Sequence, residues 1–239
     1  MTLNQKITNI NGTIENLALS SYPFSKNDIE KLGLKGIHCG SGLNLHPTWL
    51  NTDFLKIGNQ LGITSTREKL VVINDNKYYL EHDQTQLLPI EGEVFDYAFS
   101  EHFIEHITLN QAVEWLKEIR RILKIGGVLR LSTPDLYLYV SGYLDNTESF
   151  YKQHCDNLSK MGMKNIPQRK AWMINQIFRF WGHQWIYDFD EIKTIAVAAG
   201  FHPENIVKCS FQEGSIPDIS KLDLPNRSDE SIYVEIHKT

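Results

Sequence analysis

Short apolar runs alternate with longer stretches of helical period along most of the chain. The apolar runs predict strands at about 34–38, 49–54, 77–82, 95–100, 128–135, 205–211 and 231–237. The segment LVVINDNKYYLEHD predicts a hairpin that turns at residues 74–76, and its second arm is the third of these strands. We therefore expect a sheet of seven strands.

Two helices between these strands carry clear boundary signals. Thr108 and Gln111 form a capping-box pattern, and apolar residues then recur at helical spacing up to Leu123. The pair Gly126 and Gly127 is expected to end this helix. A second helix is predicted from 189, with Asp188 as its cap, and apolar residues follow at helical spacing. Strands that alternate with helices predict an α/β, Rossmann-like, doubly wound and mostly parallel sheet.

Residues 136–187 interrupt this alternation, because they are helical in pattern and rich in tyrosine, phenylalanine and tryptophan. They follow the fifth strand, so we expect a helical lid over the carboxyl ends of the strands. Residues 1–33 are expected to form an arm and a short helix, and residues 34–239 the main domain. Residues 56–70 are polar and are expected to form a short helix or a loop.

Composition narrows the classes of protein. A chain of 239 residues with 41% apolar residues suits one domain with additions. The net charge of −5 disfavours nucleic acid as a partner. Three scattered cysteines predict a reduced, cytoplasmic setting. No secretory leader is evident, and no apolar run approaches the roughly 18 residues of a spanning helix, so we expect no membrane association.

The segment GIHCGSGLNLHPTWLNTD, residues 36–53, combines a strand, a glycine turn and an acid at the end of the next strand. Glycines at 40 and 42 allow the backbone to approach a ligand that a Cβ would repel. Asp53 could accept hydrogen bonds from both hydroxyls of a ribose. The dinucleotide fingerprint is not met, because Leu45 occupies its third glycine position. We therefore expect a nucleoside ligand rather than a nicotinamide dinucleotide.

This segment resembles motif I of the class I S-adenosylmethionine methyltransferases, and within them a small bacterial group of the methyltransferase-11 type. The segment VFDYAFSEHFIEHI, with the later WLKEIRRILKIGGVLRLSTPD, is similar to the same family. The resemblance covers about 34–135, and a weaker one covers 182–201. His38 and Ile125 depart from the family pattern, which has glycine and proline there.

The resemblance implies S-adenosylmethionine as cofactor and a role for each group at the strand ends. Asp53 would hold the ribose hydroxyls, Phe54 would pack on the adenine, and Asp83 would accept from the adenine amino group. Ser100 and Glu101 would lie beside the methionine portion. The full set of expected cofactor-binding residues is His38, Cys39, Gly40, Gly42, Asp53, Phe54, Asp83, Gln84, Ser100 and Glu101.

Two alternatives to a methyltransferase stay open. The stretch from His102 to His106 fits the HxxEH pattern of zinc peptidases, with two histidine ligands on one helix face and Glu105 as base. The pattern follows a strand and precedes a freshly capped helix, so we expect no metal, no stoichiometric zinc and no sensitivity to chelators. A non-catalytic protein that binds S-adenosylmethionine is the other alternative.

The methyl acceptor is expected to be a small or medium organic molecule or a modified peptide that carries an oxygen or nitrogen nucleophile. Three histidines are candidates for a catalytic base: His102, His106 and His183. The last of these lies among the aromatic residues of the lid, where an acceptor should bind. The lid could instead form a partner-binding surface, which leaves a homodimer open.

Overall fold

The computed structural model describes residues 8–9, 13–17, 22–58, 69–147 and 149–239. Most of the expected N-terminal arm, and residues 59–68 of the segment expected as a short helix or loop, lie outside the described residues. The division at residue 33 stays a prediction.

The strands and helices follow one another along the chain much as the apolar pattern predicts. The strands are β1 Thr8–Asn9, β2 Ile14–Asn16, β3 Gly36–Cys39, β4 Trp49–Asp53, β5 Ile57–Gly58, β6 Leu70–Ile73, β7 Lys77–Glu81, β8 Phe95–Glu101, β9 Leu123–Pro134, β10 Ile206–Cys209 and β11 Ser231–His237. The helices are α1 Lys26–Lys31, α2 Leu109–Ile122, α3 Leu136–Leu144, α4 Ser149–Lys160, α5 Lys170–Arg179, α6 Phe189–Ala198 and α7 Ile219–Leu222.

The main sheet has the strand order β10-β11-β9-β8-β3-β4-β7-β6-β2. Its five central strands, from β9 to β7, run parallel to one another. The strands β11 and β6 are antiparallel to their neighbours. The Rossmann-like α/β fold is therefore confirmed.

The expected strand number was wrong, because the described sheet has nine strands rather than seven. The first arm of the predicted hairpin, β6, was not counted among the seven strands, but it pairs with β7 and extends the sheet. The strand β2 then pairs with β6 and satisfies the backbone groups that this arm would otherwise expose.

The largest hydrophobic core lies between the sheet and the helices α1, α2 and α6. The capping box of α2 forms as expected, with the Thr108 hydroxyl accepting from the backbone N–H of Gln111. The expected helix end was wrong. The helix stops at Ile122, and strand β9 begins at once, because Leu123 adopts an extended backbone. The pair Gly126 and Gly127 lies inside this strand.

The connection between the parallel strands β3 and β4 is unusually short. It spans residues 40–48 and contains no helix, whereas parallel neighbours usually need a dozen or more residues and a helix between them. The sheet face that such a helix would cover instead packs against a later part of the chain. Ile216, Ile219 and Leu222, in and before α7, pack there against Trp49 and Phe99.

A buried ion pair fastens this later segment to the sheet. The Arg130 guanidinium, fully buried on β9, donates to a carboxylate oxygen of Asp223 at 2.6 Å. It also donates to the backbone carbonyls of Ser210 and Glu213 at 2.9 and 3.0 Å. One charged side chain therefore fixes both ends of the segment 210–223.

The insertion after the fifth parallel strand forms α3, α4 and α5, as the aromatic pattern predicts. These helices enclose a hydrophobic cluster of their own around Tyr139, Tyr151 and Met173. Its first helix begins directly at the carboxyl end of β9, with the Asp135 carboxylate as cap. Among the described residues, no helix has the length and apolar character needed to cross a membrane.

We expect Asp223→Ala to lower the free energy of unfolding by about 3–5 kcal/mol, because it leaves a buried guanidinium without its counter-charge. Chemical denaturation should measure this loss. The exposed pair of Asp218 with Lys221 supplies the control, and Asp218→Ala should cost at most about 1 kcal/mol. Equal effects of the two substitutions would contradict the structural role of the buried pair.

Candidate functional site

The glycine turn after β3 lies at the carboxyl edge of the sheet. Both glycines have positive φ angles, +67° for Gly40 and +53° for Gly42. A Cβ on Gly40 would lie 2.8 Å from the Cβ of Phe103, so this glycine permits close packing. A Cβ on Gly42 would meet nothing within 4 Å, so the space beside it is open to a ligand.

Asp53 at the end of β4 is bonded directly to this turn. One carboxylate oxygen accepts from the backbone N–H of Gly42 at 2.8 Å, and the other accepts from the N–H of Leu55 at 3.0 Å. Burial raises the pKa of this carboxyl, although these backbone hydrogen bonds oppose the shift. The backbone N–H of Phe54 is a third donor to this carboxylate, which leaves acceptor capacity for a ligand. The neighbouring Phe54 ring is 44% exposed.

The segment after β7 lies beside Asp53, because β4 and β7 are paired in register. Asp83 accepts from the backbone N–H and the hydroxyl of Thr85, at 3.0 and 2.7 Å. The Gln84 side chain is buried and donates to the Thr52 hydroxyl at 2.9 Å. Its carbonyl oxygen has no hydrogen-bond partner among the described residues.

Ser100 and Glu101 end strand β8, next to the glycine turn. The Ser100 hydroxyl is fully buried and has no partner among the described residues. Glu101 accepts from the backbone N–H of Leu224 at 2.9 Å, and burial raises its pKa. The carboxylate of Glu101 is therefore engaged with the segment that covers the sheet.

His38 and Cys39 lie on β3 with their side chains in the core. The His38 ring packs edge-on against Phe99 at 4.9 Å, and burial lowers its pKa to about 3. The Cys39 thiol is buried among the helices, and burial raises its pKa to about 12. Only the backbone of these two residues can therefore face a ligand at the strand end.

A cavity of about 400 Å³ lies beyond the ends of β8 and β9, under the helical insertion. Methionine, leucine and tryptophan side chains line one part of it, and charged or titratable groups line the rest. The lining residues are His102, His106, Pro134, Leu158, Met161, Met163, Trp181, His183, Arg227 and Glu230. His102 lines the cavity, and the next residue, Phe103, packs on Gly40. The cavity therefore adjoins the glycine turn.

The structure brings all three candidate histidines to this cavity. His102 is buried, with Nε2 2.7 Å from the Ser231 hydroxyl and Nδ1 3.3 Å from Oε1 of Glu105. The rings of His106 and His183 meet at 4.9 Å between centroids. Burial lowers the pKa of His106, although the nearby Glu105 carboxylate opposes the shift.

The geometry does not fit the HxxEH peptidase pattern. His102 has a positive φ of +48°, and residues Ile104–His106 form a single 3-10 turn rather than an α-helix. The two histidines therefore do not lie on one face of a helix, as a zinc peptidase requires.

Part of the cavity could not be predicted from the sequence. Arg227 and Glu230 line the cavity, but they lie in a polar stretch without any pattern to distinguish them. Trp185 does not line it. Its indole N–H donates to Glu191 at 3.1 Å, and its ring lies beside Thr108 at the start of α2.

Residues 38–131 match a family model described as a methyltransferase domain. These residues contain the glycine turn, Asp53, Asp83 and the ends of β8. The predicted resemblance to class I S-adenosylmethionine methyltransferases is therefore confirmed over this range, which is similar to a methyltransferase domain. No curated protein is significantly similar to the chain.

Several solved structures are similar to this chain. PigF, in a structure with SAH, has 12% identity over 85% of this chain and 56% of its own, with a TM-score of 0.45. A SAM-dependent methyltransferase from Archaeoglobus fulgidus has 12% identity over 89% of this chain and 92% of its own, with a TM-score of 0.45. Phosphoethanolamine N-methyltransferase 2 from Haemonchus contortus has 12% identity over 87% of this chain and 49% of its own, with a TM-score of 0.42.

The chain spans about half the length of the PigF and Haemonchus chains.

The buried His38 predicts a specific dependence of stability on pH. Its folded pKa of about 3 lies below the ordinary value near 6.5, so below pH 6.5 only the unfolded chain takes up this proton. Between pH 7 and pH 5 this group should lower the free energy of unfolding by about 2 kcal/mol.

Urea titration at both pH values should show a smaller loss in His38→Gln than in the parent protein. The exposed His202 provides the control, and His202→Gln should keep the parent dependence. Identical losses in the parent and in His38→Gln would show that His38 does not titrate in this way.

Proposed function

We propose that the protein transfers a methyl group from S-adenosylmethionine, bound at the glycine turn, to a nucleophile held in the histidine-lined cavity. The observation that carries this proposal is the contact of Phe103 with Gly40, which makes the two sites neighbours. Methyl transfer needs its donor and acceptor in line and close together, and proximity of this kind can supply much of the catalysis.

The groups at the strand ends suit the parts of S-adenosylmethionine. Asp53 would accept from the ribose hydroxyls with its remaining lone pairs, and the exposed Phe54 ring would pack on the adenine. Asp83 and Gln84 would bind the adenine edge. The Ser100 hydroxyl has no hydrogen-bond partner among the described residues. This supports the placement of a polar group of the methionine portion beside it. Glu101 would have to release Leu224 to contact the cofactor.

The cavity suits a small or medium organic acceptor. Its volume falls within the range of about 300–1,000 Å³ that is typical of small-molecule sites. Apolar side chains line one part of the cavity, and Arg227 and Glu230 line another part. This lining would orient a molecule that has both apolar and polar portions. The acidic net charge supports a small acceptor rather than a nucleic acid. The cytoplasmic location stays a prediction.

S-Adenosylmethionine supplies an already activated methyl group. The electron pair of the acceptor oxygen or nitrogen would form the new bond to the methyl carbon while the carbon–sulfur bond breaks, and S-adenosylhomocysteine would leave. A hydroxyl acceptor also loses its proton, which His102, His106 or His183 could take before releasing it to water. General base catalysis of this kind is commonly worth about 10²–10⁴-fold.

We expect Asp53→Ala to weaken the binding of S-adenosylmethionine and S-adenosylhomocysteine about tenfold to a hundredfold. Two charge-assisted hydrogen bonds to ribose should be worth roughly 1.5–3 kcal/mol. Asp83→Asn should do less harm, because one acceptor oxygen remains. Isothermal titration calorimetry measures both affinities, and circular dichroism checks that the turn variant is folded.

Asp96, which pairs with Lys124 near the start of β8, lies at the opposite edge of the sheet and is the matched control. Asp96→Ala should bind as the parent does. The nucleoside site would be refuted by a parent protein that binds neither compound, or by unchanged affinity in Asp53→Ala.

We expect His183→Ala to slow methyl transfer while leaving the affinity for S-adenosylmethionine nearly unchanged. If the ring takes the proton, the loss should appear in kcat and shrink as the pH rises. If the ring only shapes the cavity, the loss should be independent of pH and appear in KM for the acceptor. Steady-state kinetics with a panel of hydroxyl and amine acceptors separates these results.

Trp181→Ala should raise KM for the acceptor, because this ring lines the cavity, whereas Trp185→Ala should change little.

Parent rates in His183→Ala and Trp181→Ala would mean that the insertion does not bind the acceptor. The insertion would then be a partner-binding surface, for which α3 already exposes Tyr137, Val140 and Leu144 at helical spacing. S-adenosylmethionine binding without transfer to any acceptor would favour the non-catalytic alternative.

A further inference from the structure

Three side chains that face one another at the cavity have the chemistry of metal ligands. Glu105 and His106 lie on the 3-10 turn after β8, and His183 lies beyond the end of α5. One carboxylate oxygen and one ring nitrogen from each histidine all lie within 4.8 Å of one another. The ligands therefore come from two parts of the chain that only the fold brings together.

The Glu105 carboxylate is buried, and only one of its two oxygens is hydrogen-bonded among the described residues. It is 0% exposed, and its Oε2 accepts from the Thr133 hydroxyl at 3.0 Å. Its Oε1 is buried without a hydrogen bond among the described residues, and the nearest ring nitrogens belong to His102 at 3.3 Å and His106 at 3.9 Å. Buried charges in proteins are normally paired or bound to a metal.

The His183 ring is already oriented as a metal ligand. Its Nδ1 lies 2.6 Å from the backbone carbonyl oxygen of Ile177. A carbonyl oxygen can only accept, so Nδ1 carries the proton and the lone pair on Nε2 is free. A hydrogen bond from the second ring nitrogen to a carbonyl is the usual outer support of a histidine ligand.

We propose that Glu105, His106 and His183 bind one divalent transition-metal cation of the zinc type, with its open coordination positions facing the cavity. Two imidazoles and one carboxylate form a known ligand set for such ions, and three protein ligands leave room for water or substrate. His102 and Thr133 act as positioning residues, because both contact the Glu105 carboxylate.

The separations fit a site that closes slightly around an ion. Zinc bonds to nitrogen and oxygen measure about 2.0–2.2 Å, which places tetrahedral ligand atoms about 3.3 Å apart. The 3.9 Å between Glu105 and His106 must therefore shorten by about 0.6 Å, and the upper limit of 4.8 Å for the cluster by about 1.5 Å. The half-exposed His106 side chain can rotate that far without disturbing the core.

The role of the cation rests on the proposed function. A zinc-type ion lowers the pKa of a bound water or hydroxyl by several units. A hydroxyl acceptor bound to an open position would therefore release its proton to solvent water near neutral pH, and its oxygen would face the neighbouring donor site. His106 and His183 would then act as ligands and not as the base. This assigns the acceptor to hydroxyl compounds rather than amines. It departs from the expectation of no metal, because the sequence alone offered no third ligand.

We test the site by titrating chelator-treated protein with Zn²⁺ in a calorimeter and with Co²⁺ by visible absorption. The parent protein should bind one equivalent of either ion, and bound Co²⁺ should show the intense absorption of a low-coordinate site. His183→Ala should weaken binding by more than the 10–100-fold that is typical for loss of an outer-shell residue. Glu105→Gln, which keeps the side-chain shape, should do the same.

The exposed His202 again supplies the matched control, and His202→Ala should bind the ions as the parent does. Circular dichroism and S-adenosylhomocysteine affinity verify that each variant is folded. The metal site is refuted if the parent binds no stoichiometric ion, or if His183→Ala and His202→Ala bind alike.

The metal site and the proposed methyl transfer can be refuted independently of each other. Ion binding that depends on His183 in a protein without affinity for S-adenosylmethionine would support the metal site and refute methyl transfer. Binding of S-adenosylmethionine without stoichiometric ion binding would refute the metal site. It would support the proposed methyl transfer.

Discussion

The site depends on the way in which the buried carboxylate of Glu105 and its backbone join three parts of the molecule. The side chain accepts from Thr133 on β9 and contacts His102 after β8. The backbone carbonyl accepts from the N–H groups of Gln184 and Trp185 at 2.7 and 3.3 Å, which fixes the end of the insertion. Burial alone would raise the pKa of this carboxyl, but the nearby rings of His102 and His106 lower it. The group is therefore held as an anion in the core, and the histidines around it occupy fixed positions.

Much of the fold could be predicted from the sequence because each signal was local. Apolar runs bounded by turn residues gave the parallel strands, and the Thr108 capping box gave the start of α2. The Gly126 and Gly127 pair misled because glycine often ends a helix, whereas here tertiary packing drew the chain into a strand four residues earlier. Of the two additional strands, β6 is the first arm of the predicted hairpin, whereas β2 depends on pairing with a distant segment, which no local pattern reports.

The functional site, like the fold, could be predicted only where the signal is local in the sequence. The glycine turn and Asp53 lie close together in sequence, so their contact could be predicted. The approach of His183 to His106 depends on how three helices pack, and the sequence offered these residues only as separate candidates. Arg227 and Glu230 reach the cavity because Arg130 and Asp223 fasten the preceding segment to the sheet. A buried ion pair between positions so far apart leaves no signal in a single sequence.

The short connection between β3 and β4 has a consequence for how the chain acquires its structure. The sheet face beside Trp49 and Phe99 has no crossover helix and receives its apolar cover from residues 216–222. During synthesis from the ribosome, the early strands must wait with this face in contact with water until most of the chain has emerged. Exposed strands of this kind are prone to aggregate. A nascent chain that stalls before residue 216 should therefore be a client of chaperones, although every strand of the central parallel sheet has by then been made.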